Sequence, residues 1–152
     1  MNDKREAARN YFQEGYNCAQ AVILAYHEEL GLDKETAAKL GSSFGGGMGR
    51  LREVCGAVSG MFLVTGLMSG YSDPKDQTGK RQQYERVQSL AQAFSEKHGS
   101  IVCRELLGLT VQKEAPEPSL RTAQYYKKRP CGELVADAAG ILEEMKEGEK
   151  VI

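Results

Sequence analysis

Apolar residues recur at helical spacing along most of the chain. Ala7, Ala8, Tyr11 and Phe12 share one face of a segment over residues 3–13, which Gly15 breaks. Asn17 is a good N-cap for a second helix that runs to about Leu30, with Val22, Ile23, Tyr26 and Leu30 in register and Gly31 ending it. Asp33 caps a third helix of about two turns, through Leu40. The stretch from Val54 to Ser69 is apolar nearly all round, which predicts a central buried helix. Its glycines at 56, 60 and 66 suit close approach by other backbones. Ser72-Asp73-Pro74 reads as a start signal, with Pro74 at the first helical position. The core stripe of that fifth helix is Tyr84, Val87, Leu90, Ala91 and Phe94, and Lys97 and His98 precede its stop at Gly99. Ser100 caps a short helix holding Ile101, Val102, Leu106 and Leu107, stopped by Gly108. Residues 109–128 read as loop, with Pro116 and Pro118. Pro130 opens a last helix with Leu134, Val135, Ala138, Ile141, Leu142 and Met145 on its core face. No strand pair and no repeat is visible. The pattern predicts an all-α bundle of six to seven helices around the buried helix at about 54–69, with residues 1–152 as one domain.

Composition narrows the functional classes. A chain of 152 residues can bury a core without staples. A formal net charge of −1 gives no electrostatic footprint for nucleic acid or an anionic membrane, and Lys127-Lys128-Arg129 is too short a basic run to alter that. The start, MNDKREAARNYF, has no apolar signal region, and Val54 to Met68 is too short to span a bilayer. These features place the protein in the cytoplasm, without membrane insertion. In that compartment structural disulfides are rare, so four cysteines suggest metal binding or redox chemistry. A homo-oligomer is compatible with every reading.

The chemistry of this chain sits at its cysteines. Cys18, Cys55, Cys103 and Cys131 each fall in the first turn of a predicted helix. A helix start carries unpaired N–H groups and a partial positive charge, which favour a thiolate. The four lie 37, 48 and 28 positions apart, which argues against a zinc ribbon and against C-x-x-C. A dispersed set can still converge in a bundle. Gly45, Gly46 and Gly47, with Gly56, offer bare backbone donors near Cys55, and Arg50 offers positive charge. Arg52, Arg104 and Arg129 also lie within a few residues of cysteines. A single free cysteine often behaves as a small hydrophobe. Core packing, however, has no preference for first turns, so four such placements favour chemistry.

Cys55-Gly56-Ala57-Val58-Ser59-Gly60 reads C-G-A-x-x-G, with one cysteine upstream and two downstream. With the Tyr16-Asn17-Cys18-Ala19-Gln20-Ala21-Val22 start and the Phe44-Gly45-Gly46-Gly47-Met48 loop, the chain resembles the C_GCAxxG_C_C family over about Gln13 to Ala138. All four family cysteines have counterparts. The family name writes G-C-A, whereas here Val54 precedes Cys55 and Gly56 follows it. The resemblance implies redox activity centred on the cysteines. A related module stands beside haem domains in split-Soret-type cytochromes, where an iron–sulfur centre is suspected.

Other motifs add little. The glycine loop lacks the lysine and hydroxyl of a P-loop and has no strand before it, so no nucleotide is expected. There is no C-x-x-C-H, so no covalent haem is expected. His27 and His98 read as structural, Glu53 as a solvated first-turn acid near Cys55, and Met48, Met61, Met68 and Met145 as core fillers. Three functions follow. The first is an electron-transfer module with Cys18, Cys55, Cys103 and Cys131 as ligands to an iron–sulfur cluster, with zinc as a minor branch. The second is a thiol–disulfide redox protein with Cys55 attacking and another cysteine as its partner. The third is a helical binding protein with buried cysteines. The first two imply a redox partner protein that the sequence does not identify.

Overall fold

A computed structural model describes residues 3–109, 114–118, 120–121 and 130–151. Among them are seven helices: α1 (Lys4–Glu14), α2 (Cys18–Ala25), α3 (Lys34–Gly41), α4 (Gly56–Ser69), α5 (Gln77–His98), α6 (Cys103–Leu106) and α7 (Cys131–Val151). A further tight turn, Gly45–Met48, holds glycines in left-handed conformation and is not a regular helix. No strand occurs among the described residues; one isolated antiparallel bridge joins Val54 and Val102. The architecture is the expected all-helical, single-domain bundle.

Helix starts follow side-chain chemistry. The Asp3 carboxylate accepts from the Arg5 and Glu6 N–H groups, and Gly15 closes α1 in the left-handed region at φ 114°. Asn17 and Gln20 form a capping box: Asn17 accepts from Gln20 N–H at 2.8 Å and Gln20 accepts from Asn17 N–H at 2.9 Å. The same two side chains donate to α3, from Asn17 to Gly41 O and from Gln20 to Ala38 O. The start of α2 is thereby fixed in position and direction.

The centre of the bundle is α2 rather than α4. Six of its residues are buried, and it packs against α1, α3, α4 and α7. Helix α4 lies on α2, α5 and α7, but its last turn leaves the core and exposes Leu67 and Met68. Met61 fills the core as expected, whereas Met68 does not.

Three boundaries differ from the sequence expectation. Helix α2 ends at Ala25, and the chain goes on in turns to Leu32, with Tyr26 N–H on Ile23 O and His27 N–H on Leu24 O. That tightening carries the Tyr26 hydroxyl to Ala139 O at 2.8 Å and sets Glu29 between Lys4 and Lys146. Helix α5 begins at Gln77, not at Pro74, because the Asp76 carboxylate takes Gly79 N–H at 2.8 Å while Asp73 is used in the preceding turn. Tyr84, predicted for the core, is exposed and meets Tyr71 edge-on; Leu90 and Phe94 carry the buried stripe. Most of the expected loop at 109–128, and Lys127, Lys128 and Arg129, lie outside the described residues. No helix of the described residues is long and apolar enough to cross a membrane.

Close helix packing rests on glycine. A Cβ at Gly60 would meet Val22 Cβ at 2.9 Å and Ala19 O at 3.0 Å, both on α2. At Gly66, on the same helix, it would meet nothing within 4 Å. Gly60→Ala is expected to destabilise the fold by about 1–3 kcal/mol through overpacking, and Gly66→Ala to stabilise it by about 0.5–1 kcal/mol through helix propensity. Urea unfolding of both variants checks the opposite signs.

Candidate functional site

Each cysteine does start a helix. Cys18, Cys103 and Cys131 are the first residues of α2, α6 and α7, and Cys55 is the N-cap of α4. The capping box places Cys18. The Val54–Val102 bridge places Cys55 and Cys103, since each cysteine directly follows one bridge residue. Cys55 N–H donates to Ile101 O at 2.7 Å and Cys103 N–H donates to Glu53 O at 2.6 Å. Pro130 precedes Cys131, and its carbonyl accepts from the Glu133 and Leu134 N–H groups.

The glycine loop is a reversal of backbone handedness. Gly46, Gly47, Met48, Gly49 and Arg50 all have φ between 66° and 71°, and Arg52 follows at 57°. Left-handed backbone costs a non-glycine residue roughly 1–2 kcal/mol, and Met48, Arg50 and Arg52 all bear it. Tertiary bonds hold the run: Arg52 N–H to Gly46 O at 3.3 Å and Glu53 N–H to Gly47 O at 3.0 Å. A Cβ at Gly47 would lie 2.6 Å from Cys103 Cβ, so only glycine lets the loop touch α6. At Gly56 a Cβ would stand 3.0 Å from Cys18 Cβ and 2.9 Å from Phe44 O.

This geometry aims all four sulfurs at one place. Cys18, Cys55, Cys103 and Cys131 line a single cavity of about 360 Å³. Gly45, Gly46, Gly47, Gly56 and Arg50 line it too, as do Arg52 and Arg121. Arg52 is almost wholly buried, and its Nη1 donates to the Cys103 sulfur at 3.4 Å. Glu114 holds both loop arginines, Arg52 Nε at 2.7 Å and Arg50 Nη2 at 3.0 Å. Burial alone would lower the Arg52 pKa; the Cys103 sulfur and the Glu114 carboxylate outweigh it and raise it. Sequence reasoning missed Glu114, which sits in the expected loop more than 60 positions from its partners and carries no local signal.

Convergence on a cavity is not convergence on a metal. Among the described residues, which include all four cysteines, no three Cys, His, Asp or Glu side chains come together as a metal-binding group. The sulfurs have separate partners: Cys103 has Arg52, Cys18 has Cys131, and Cys55 faces the N–H groups of Ala57 and Val58. An iron–sulfur cluster or a zinc ion needs its thiolates around one centre. The expected cofactor, and the electron-transfer module built on it, do not fit this arrangement.

None of the four cysteines is in a disulfide. Cys18 hydrogen-bonds to Cys131, and that bond, followed by burial and by the neighbouring sulfurs, raises the Cys18 pKa well above the ordinary thiol value. Burial raises Cys55 to about 12, against the pull of the Ala57 and Val58 N–H groups. The expectation that a helix start lowers each thiol pKa is therefore reversed at both positions, at Cys18 by the bond to Cys131 before burial and at Cys55 by desolvation of the thiolate. The remaining polar candidates each have a partner. His98 pairs with Asp137 at 2.9 Å and stacks on Phe94, His27 Nδ1 contacts Leu32 O at 3.0 Å, and Glu53 pairs with Arg104 at 3.3 Å. Arg129 lies outside the described residues.

The Cys55 shift has a signed consequence. Its folded-state pKa, about 12, exceeds the ordinary 9.0, so its contribution to stability is complete below pH 9 and is lost as pH rises toward 12. Chemical denaturation across pH 8–12 should show that decline, and Cys55→Ala should flatten it. At pH 8, iodoacetamide should label Cys55 about two orders of magnitude more slowly in the folded than in the unfolded chain.

No curated protein and no solved structure matches this chain. Residues 16–145 match the family described as "Putative redox-active protein (C_GCAxxG_C_C)", a span that contains all four cysteines, the left-handed loop and the cavity. The chain belongs to the C_GCAxxG_C_C family.

Proposed function

We propose that this chain is a thiol–disulfide redox protein in which Cys131 and Cys18 form the reacting pair. The observation that carries the reading is the hydrogen bond between these two thiols on the wall of a shared cavity. Cys55 and Cys103 are not close enough for a disulfide, and burial keeps Cys55 protonated at neutral pH. Cys55, favoured from sequence as the attacking thiol, therefore gives way to the pair that is already in contact.

The chemistry follows from that contact. Cys18 holds its proton toward Cys131, which makes Cys131 the accepting sulfur of the pair and gives it the attacking role. The Cys131 thiolate attacks one sulfur of an external disulfide; a new S–S bond forms, the old one breaks, and the first thiolate leaves. Cys18 then loses its proton and attacks the Cys131 sulfur of the mixed disulfide, releasing the second thiolate. Two protein thiols are oxidised to one disulfide, the external disulfide is reduced to two thiols, and the two protons go to the departing sulfurs. Both cysteines are first residues of helices. Four cysteines outside any disulfide suit a reducing compartment, so the cytoplasmic placement stays part of this proposal.

Equilibration with glutathione buffers of graded ratio should give one two-electron step, with loss of two hydrogens by mass and a peptide map joining residues 18 and 131. Cys18→Ser or Cys131→Ser should abolish the step, whereas Cys55→Ser and Cys103→Ser should each retain it. A disulfide at any other pair, or no reversible step, would overturn the assignment.

A further inference from the structure

The cavity carries more information than its sulfurs. Its described lining contains three arginines, Arg50, Arg52 and Arg121, and no carboxylate. Arg50 Nε donates to Ala115 O, and Arg121 donates to Phe12 O at 2.6 Å and Tyr16 O at 2.7 Å; these neutral carbonyls orient a guanidinium without discharging it. Glu114, which is not among the described lining residues, pairs with Arg50 and Arg52. The backbone of Gly45, Gly46 and Gly47 faces the same space. Relative exposures of 4% for Cys55 and 7% for Cys103 and Cys131 put those three sulfurs, the attacking Cys131 among them, out of reach of a disulfide held on another folded protein, while Cys18 is half-buried. A volume of about 360 Å³ lies at the small end of ligand pockets.

From the three arginines, the missing carboxylate and the enclosed sulfurs we infer that the substrate of this site is a low-molecular-weight anionic disulfide, one that carries carboxylates, rather than a protein. This names the substrate class for the Cys131–Cys18 reading and rests on it. The guanidinium groups hold the carboxylates, and the disulfide bond is thereby presented to Cys131. Exchange then proceeds as written above, with the carboxylate-bearing thiols as the reduced products.

Three small disulfides of similar length separate charge from size: dithiodiglycolate (dianionic), bis(2-hydroxyethyl) disulfide (neutral) and cystamine (dicationic). The dianion should oxidise the reduced protein about tenfold or more faster than the dication, with the neutral compound between them and the gap shrinking as salt rises. Arg50→Gln should narrow the gap and Glu114→Gln should widen it. Equal rates for all three, or cystamine fastest, would overturn the inference while leaving the thiol couple standing. Binding is measured separately in the Cys18→Ser/Cys131→Ser variant by calorimetry with adipate, the carbon isostere of dithiodiglycolate. Saturable binding of adipate but not of hexane-1,6-diamine supports the anion site even where the couple fails, and equal binding of the two, or none, refutes it.

Discussion

The site depends on neighbours packed directly onto main chain, at distances that no side chain except hydrogen permits. At Gly41, Gly45, Gly47, Gly56 and Gly60 an added Cβ would stand within 3.0 Å of another segment, at Gln20, Asn17, Cys103, Phe44 and Val22 in turn. Four of these contacts hold the glycine loop and the start of α4 against α2 and α6. Where the chain is this close, sulfurs attached to the next residue are drawn together without a metal or a disulfide to hold them. The bundle around them is ordinary; what is unusual is the number of places where its elements touch through bare main chain.

Electrostatics and desolvation then sort the four thiols, which begin as near equivalents. Cys55 is buried under α4 and stays protonated. Cys103 is held by a guanidinium that is itself buried and shared with Glu114. Cys18 and Cys131 find each other. A helix terminus supplies about 0.3–1 kcal/mol to a nearby charge, and desolvation of a buried thiolate readily exceeds that. Position relative to the helix therefore decides where the sulfurs are, while burial and partners decide what each can do.

Much of this could be read from the chain. Asn17 and Asp33 announced their helices because a short polar side chain before an apolar run has a specific job, and the four cysteines at helix starts were visible for the same reason. The glycines near Cys55, which the chain displays openly, line the cavity. Other features left no trace. The competition between Asp73 and Asp76 for the start of α5 turns on the path of one turn, which composition does not record. Glu114 pairs with Arg50 and Arg52 across a long separation. Tyr84 keeps helical spacing with Leu90 and Phe94 but falls past the edge of the packed face. The metal reading failed because four sulfurs around a cavity and four sulfurs around an ion share one sequence pattern and differ only in a few ångströms of backbone placement.

The Val54–Val102 bridge has a further meaning. It is made of main-chain atoms, with Cys55 N–H on Ile101 O and Cys103 N–H on Glu53 O, so the spacing of two helix starts is set by peptide groups that every residue but proline supplies. Side chains at 54 and 102 can drift over generations while the two sulfurs keep their separation. Geometry here is inherited through the invariant part of the polymer, which frees the surrounding positions to be retuned for a different charge or a different guest without rebuilding the frame.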